Sequence, residues 1–172
     1  MMQNHSIEAD DLKLLSRSFR YPEEMPDWFA LAGIGIAFDP DLETVGLTKL
    51  QNEYVRLFIN ALPQVPCPPY GSFYIEGSLM GASTVRLQNL YQTYGVLADD
   101  IPDHISVELE FLAFLSILSP MHPIEEDYRF LLDHLNQWTP EFFTCIEEHD
   151  STGFYSEISR CARKVLAVCG VA

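Results

Sequence analysis

Apolar positions along this chain return mainly with the three- and four-residue period of a helix, and seldom with the alternation of a strand. After Asp39-Pro40, residues Leu42, Val45, Leu50, Tyr54, Leu57, Phe58 and Ala61 fall along one helical face, and Pro63 stops the run. Leu87, Leu90, Tyr91 and Tyr94 form a second face that closes at Gly95, a residue free to take the left-handed conformation that ends helices. The segment 105–115, ISVELEFLAFL, is apolar over most of its surface and predicts a central helix packed on several sides.

Pro123 suits the first turn of a further helix carrying Tyr128, Leu131, Leu132, Leu135 and Trp138. Thr139-Pro140 then reads as the cap and first residue of the next, and both helices are expected at the surface. Phe154, Tyr155, Ile158, Ala162, Val165, Leu166 and Cys169 give a last amphipathic helix. Strand signals are short (72–75) or broken by glycine (33–38). Gly33-Ile34-Gly35 reads as a turn, lacking the third glycine and the strand-to-helix setting of a dinucleotide loop. The predicted fold class is all-α.

The stretch 63–72 holds four prolines and a glycine, which predicts a rigid extended connection lying against the central helix. A length of 172 residues is enough for one substantial core, so residues 1–172 are expected to form a single compact helical domain. Stretches 63–78 and 95–103 are candidate hinges, compatible with a monomer or a domain-exchanged dimer.

Charge narrows the partner. Against 25 acidic residues stand 10 Lys and Arg, a formal net charge of -15 that repels nucleic acid and anionic membranes. Between Arg86 and Arg129 there is no Lys or Arg, while Asp99, Asp100, Asp103, Glu108, Glu110, Glu125, Glu126 and Asp127 all fall there. Without local partners, these carboxylates are candidate receptors for cationic side chains of another chain. Cys67, Cys145, Cys161 and Cys169 show neither CxxC spacing nor a dense disulfide pattern, which fits a reducing compartment. The N-terminus carries no secretory pattern, and no run approaches the ~20 apolar residues of a membrane span. The expectation is a soluble, cytoplasmic protein.

Catalytic signatures are weak. There is no P-loop and no GxSxG, and the His104/Glu108 and His122/Glu126 pairs have ligand spacing but no third partner. A small metal-dependent hydrolase using His104 with Glu108 or Glu110 is therefore the lesser reading, and no catalytic residue, metal or cofactor is assigned. Asp103 reads locally as the N-cap of the helix that follows, and Pro68-Pro69-Tyr70 as a rigid turn with an aromatic plug.

Several motifs in order resemble the TorD/DmsD/NarJ family of redox-enzyme maturation chaperones. They are Tyr54-Val55-Arg56-Leu57-Phe58, Pro68-Pro69-Tyr70-Gly71-Ser72-Phe73-Tyr74, Gly81-Ala82-Ser83-Thr84, Tyr94-Gly95-Val96, and Pro102-Asp103-His104 with the helix holding Glu108. The resemblance covers 54–118. It implies an all-helical, non-enzymatic chaperone that binds the twin-arginine signal peptide and the body of a molybdopterin-containing oxidoreductase and assists cofactor insertion before export. A NarJ-like member would instead serve a nitrate reductase-type subunit. On this resemblance the peptide would meet Tyr70, Ser72, Tyr74, Pro102, Asp103, His104 and Glu108, and a His104 that titrates near neutrality would disfavour a cationic peptide in acid.

Overall fold

The computed structural model describes residues 4–37, 40–118, 121 and 123–170. In chain order its helices are α1 (Asn4–Ser18), α2 (Trp28–Gly33), α3 (Pro40–Glu43), α4 (Leu47–Tyr54), α5 (Gly71–Glu76), α6 (Ala82–Thr93), α7 (Ile105–Leu118), α8 (Glu125–His149) and α9 (Phe154–Cys169). The all-α expectation holds: among the described residues extended pairing is confined to one isolated antiparallel bridge, Tyr70 with His104.

α7 lies at the centre, as its composition predicts. Ile105, Leu109, Leu112, Ala113 and Leu115 lose essentially all exposure, each larger side chain contributing about 1.5–3 kcal/mol relative to an exposed position. α1 runs along α7 and buries Ala9, Leu12 and Leu15, α8 packs on another side, and α9 lies against both α8 and α1. The short α5 rests on α8, and α6 follows it. Gly95 takes φ +68 just beyond α6, as expected, and Gly35 takes φ +86 in the turn after α2.

Three boundaries differ from the sequence pattern. The run from 42 to 61 is not one helix: α3 ends at Glu43, α4 starts after an extended Gly46, and a π turn over Val55–Ile59 finishes the segment. The break spans 44–46 and includes Val45, which stays buried although it lies outside either helix. The widened turn, closed by Asn60 N–H to Val55 O at 2.8 Å, keeps Leu57 and Phe58 buried.

Thr139-Pro140 starts no new helix. α8 continues through it as one helix packed at the surface, as expected, with Leu135, Trp138, Phe142 and Phe143 buried on one side and Glu125, Asp133, Asn136 and Glu141 exposed on the other. Pro140 and Asn136 face solvent, so the carbonyl deprived of its donor lies on the wet face while packing holds the other.

The proline-rich connection is shorter than expected, since Gly71 and Ser72 already belong to α5. It does reach the central helix: the Ile105 N–H donates to Pro69 O at 3.0 Å. It is also tied to α8 by a Cys67–Cys145 disulfide, a pairing that the spacing of the cysteines does not suggest and that departs from the expected fit to a reducing compartment. Sequence separation of 78 hides the pair, and the fold brings the Cα atoms to 5.9 Å.

Candidate functional site

Two helix starts share one junction. Beside the Tyr70–His104 bridge, Gly71 N–H donates to Asp103 O at 2.9 Å and Ser72 N–H to the Asp103 carboxylate Oδ2 at 2.7 Å. In return Ile105 N–H meets Pro69 O, and Ser106 N–H donates to His104 Nδ1 at 3.2 Å, with the Ser106 hydroxyl 2.7 Å from the same nitrogen. The expected role of Asp103 as cap of its own following helix is thus corrected. Its carboxylate serves the first turn of α5, and the His104 ring serves α7.

Gly71 is required here by close approach. A Cβ at this position would stand 2.9 Å from His134 Cε1 and 3.0 Å from Trp138 Nε1, both on α8. Tyr74, one turn on, stacks on Trp138 with ring centroids 5.6 Å apart.

The predicted residues therefore cluster, but they differ in access. Ser72, Asp103, His104 and Glu108 are buried, whereas Tyr70, Tyr74 and Pro102 are partly exposed. Glu108 Oε2 lies 2.7 Å from His134 Nδ1, so it does not pair with His104 as a metal ligand. His122, Phe38 and Asp39 lie outside the described residues. Pro102 accepts the Tyr91 hydroxyl at 2.8 Å and lines a cavity of about 140 Å³.

A larger cavity, about 820 Å³, opens beside Tyr70 and His104. Tyr21, Met25, Leu31, Tyr54 and Phe58 supply apolar wall, and Glu23, Glu24, Asp27, Asp99 and Asp100 supply carboxylates. Two arginines line it as well, Arg17 and Arg20, and Arg20, just past α1, contacts Asp99 Oδ2 and Glu110 Oε2 at 2.7 Å each. The acidic stretch is thus less free than its sequence suggests. Asp99 and Glu110 hold Arg20, Glu108 holds His134, Asp127 accepts the Tyr94 hydroxyl at 2.6 Å, and Asp103 holds Ser72. Asp100 lines the cavity and accepts the Ile101 N–H.

Burial sets the charge states. Removal from water pulls His104 down to about 4, despite nearby Asp100, so its ring stays neutral through the mildly acidic range and the expected titration near neutrality is corrected. Burial pushes Glu108 up to about 7, with His134 opposing. Burial pulls His134 down, yet the Glu108 charge and hydrogen bond outweigh it, and the net shift is upward.

Sequence reasoning missed the wall formed by residues 17–27. The signal was present in Pro22-Glu23-Glu24-Met25-Pro26-Asp27, a proline-bounded acidic segment directly after an arginine-bearing helix.

The family model of the nitrate reductase delta subunit matches residues 27–144. Chaperone protein TorD of Aliivibrio salmonicida (strain LFI1238) is 27% identical over 105 residues, covering 53% of this chain and 49% of that protein. The TorD chaperone of Vibrio cholerae (strain M66-2) is 30% identical over 109 residues, covering 55% and 49%. The chain thus spans about half the length of the curated relatives it matches. A solved protein from Archaeoglobus fulgidus, described as a redox enzyme maturation protein, is 38% identical and superposes with a TM-score of 0.69 over 92% of this chain and 93% of its own. These relatives carry chaperone and maturation names. With the family match extending over more than half its length and the fold shared nearly end to end, this chain belongs to the nitrate reductase delta subunit family of TorD-like proteins.

Proposed function

We propose that this protein is a cytoplasmic maturation chaperone that holds the twin-arginine leader of a molybdopterin-containing oxidoreductase and assists cofactor insertion before export. The observation that carries this reading is the 820 Å³ cavity, lined by aromatic and apolar side chains together with five carboxylates. A leader with two arginines beside an apolar stretch has the complementary chemistry: its guanidinium groups meet Asp99, Asp100, Glu23 or Glu24, and its apolar side chains meet Tyr21, Tyr54 and Tyr70. Arg20 lends support, since a guanidinium already rests on the Asp99 and Glu110 carboxylates. In this reading Tyr70 and His104 contact the peptide from the cavity wall. Ser72, Tyr74, Pro102, Asp103 and Glu108 hold that wall in place.

Calorimetric titration with a synthetic twin-arginine leader tests it. Binding should weaken when both arginines become lysines, which lose the planar two-pronged contact. Equal affinity for the two peptides, or none for either, overturns the leader reading. The name of the matching family favours a second reading, a NarJ-like chaperone for a nitrate reductase-type subunit. Capture of a molybdopterin oxidoreductase subunit lacking any leader, with no response to the peptide, would select it.

A further inference from the structure

Away from that cavity, the disulfide joins two cysteines beside a histidine. Cys67 is buried in the proline-rich connection, and Cys145 and His149 stand one turn apart on α8, with His149 exposed. Their ligand atoms, the two Sγ and a ring nitrogen, all lie within 4.8 Å of one another. Cys145 Sγ to His149 Nδ1 is 3.8 Å.

We propose that these three residues, with the cysteines reduced, form a site for a thiophilic divalent cation such as Zn²⁺, and that the metal-bound and disulfide forms exclude each other. Zinc bonds of about 2.3 Å to sulfur and about 2.0–2.1 Å to nitrogen, set tetrahedrally, separate S from N by about 3.6 Å and S from S by about 3.8 Å. The Cys145–His149 distance already matches. The two sulfurs must part from bonding contact to that separation, which a Cα spacing of 5.9 Å permits by side-chain rotation. Two thiolates and one imidazole leave a fourth position for water, and this donor set selects zinc over magnesium or calcium.

The interconversion balances. A dithiol reductant supplies two electrons and two protons, the Cys67–Cys145 bond breaks, two thiols form, and the reductant leaves as its own disulfide. The cation then displaces both thiol protons to solvent. His149 Nδ1, which lies 2.9 Å from Cys145 O, gives up that contact and binds the metal as a neutral ring protonated at the exposed Nε2.

The test uses the full chain, reduced with a phosphine, freed of oxygen and titrated with Co²⁺. One equivalent should produce the intense visible bands of tetrahedral cobalt and a thiolate charge-transfer band, both bleached by Zn²⁺. The same chain with its disulfide closed should show neither. Reduced His149→Ala, its fold checked by circular dichroism, should bind more than about tenfold more weakly, since even loss of a ligand's hydrogen-bonding neighbour costs that much. Absence of the bands in the reduced chain, or bands unchanged by closing the disulfide or by His149→Ala, overturns the proposal. Because closing the disulfide requires no substitution, the outcome does not depend on the folding of a cysteine variant.

Discussion

Glu108 on α7 and His134 on α8 share one short contact, Oε2 to Nδ1 at 2.7 Å, inside the protein with almost no exposure of either side chain. Both titrate above their ordinary values, Glu108 because burial penalises its charge and His134 because the Glu108 carboxylate outweighs burial. The folded state therefore holds more protons than the unfolded chain from about pH 4.5 past neutrality. Stability gained by holding them is present at the acid side of that window and lost as pH rises. His104, pulled down to about 4, acts in the opposite sense and only below its ordinary 6.5. The melting temperature should thus fall between pH 6.5 and 8.5, and Glu108→Gln should flatten that slope. A native slope of the opposite sign contradicts the assignment.

Asp103→Ala should destabilise the protein by about 2 kcal/mol, measured by urea unfolding, because the buried Ser72 N–H loses a charged acceptor. Leader affinity should fall as well, since Tyr70 then loses its anchored neighbour. Unchanged stability would mean that the junction tolerates an empty partner.

Gly71→Ala should cost about 1–3 kcal/mol through overpacking, because the added carbon meets two buried rings of α8 and not a flexible chain end. Differential scanning calorimetry reads this directly. A neutral result would show that α5 can shift away from α8.

Arg20→Gln should strengthen leader binding several-fold by freeing Asp99 and Glu110, with little change in melting temperature, because exposed ion pairs contribute only about 0–1 kcal/mol. The native affinity should also fall with added salt, as carboxylates facing arginines are screened. Weaker binding by the variant would make Arg20 a contact residue instead of a competitor.

With His104 neutral across the mildly acidic range, leader affinity should not depend on this ring between pH 7 and 5.5. His104→Gln and the native protein should then show parallel pH profiles by calorimetry. A native affinity that drops in acid while the variant's does not would restore the ring as a titrating contact.

The helical class and the central place of α7 were legible because an almost uniformly apolar segment can be satisfied only by neighbours on several sides. Gly95 was legible because its conformation is local. The continuation of α8 through Pro140 was not, since its cause is the burial of Trp138, Phe142 and Phe143 by elements distant in sequence. The cluster of Tyr70, Asp103, His104 and Glu108 came from motif order, but its inward orientation depends on Ser72, Ser106 and His134, which no spacing rule connects. The acidic cavity was half visible. Asp99 and Asp100 stood out as unpaired charge, and their claim by Arg20 emerged only with the fold.

The shared junction of α5 and α7 bears on how the molecule breathes. The amides of Gly71, Ser72, Ile105 and Ser106 take their acceptors from across the junction or from the His104 ring that anchors it. None of the four is protected by the helix it begins. Proton exchange at these sites should therefore proceed through one concerted opening that lifts both helix starts together, at a rate set by the junction and not by fraying of either end. Loosening residue 70 is then the same event as loosening residue 104, and the cavity wall moves as a single hinged panel.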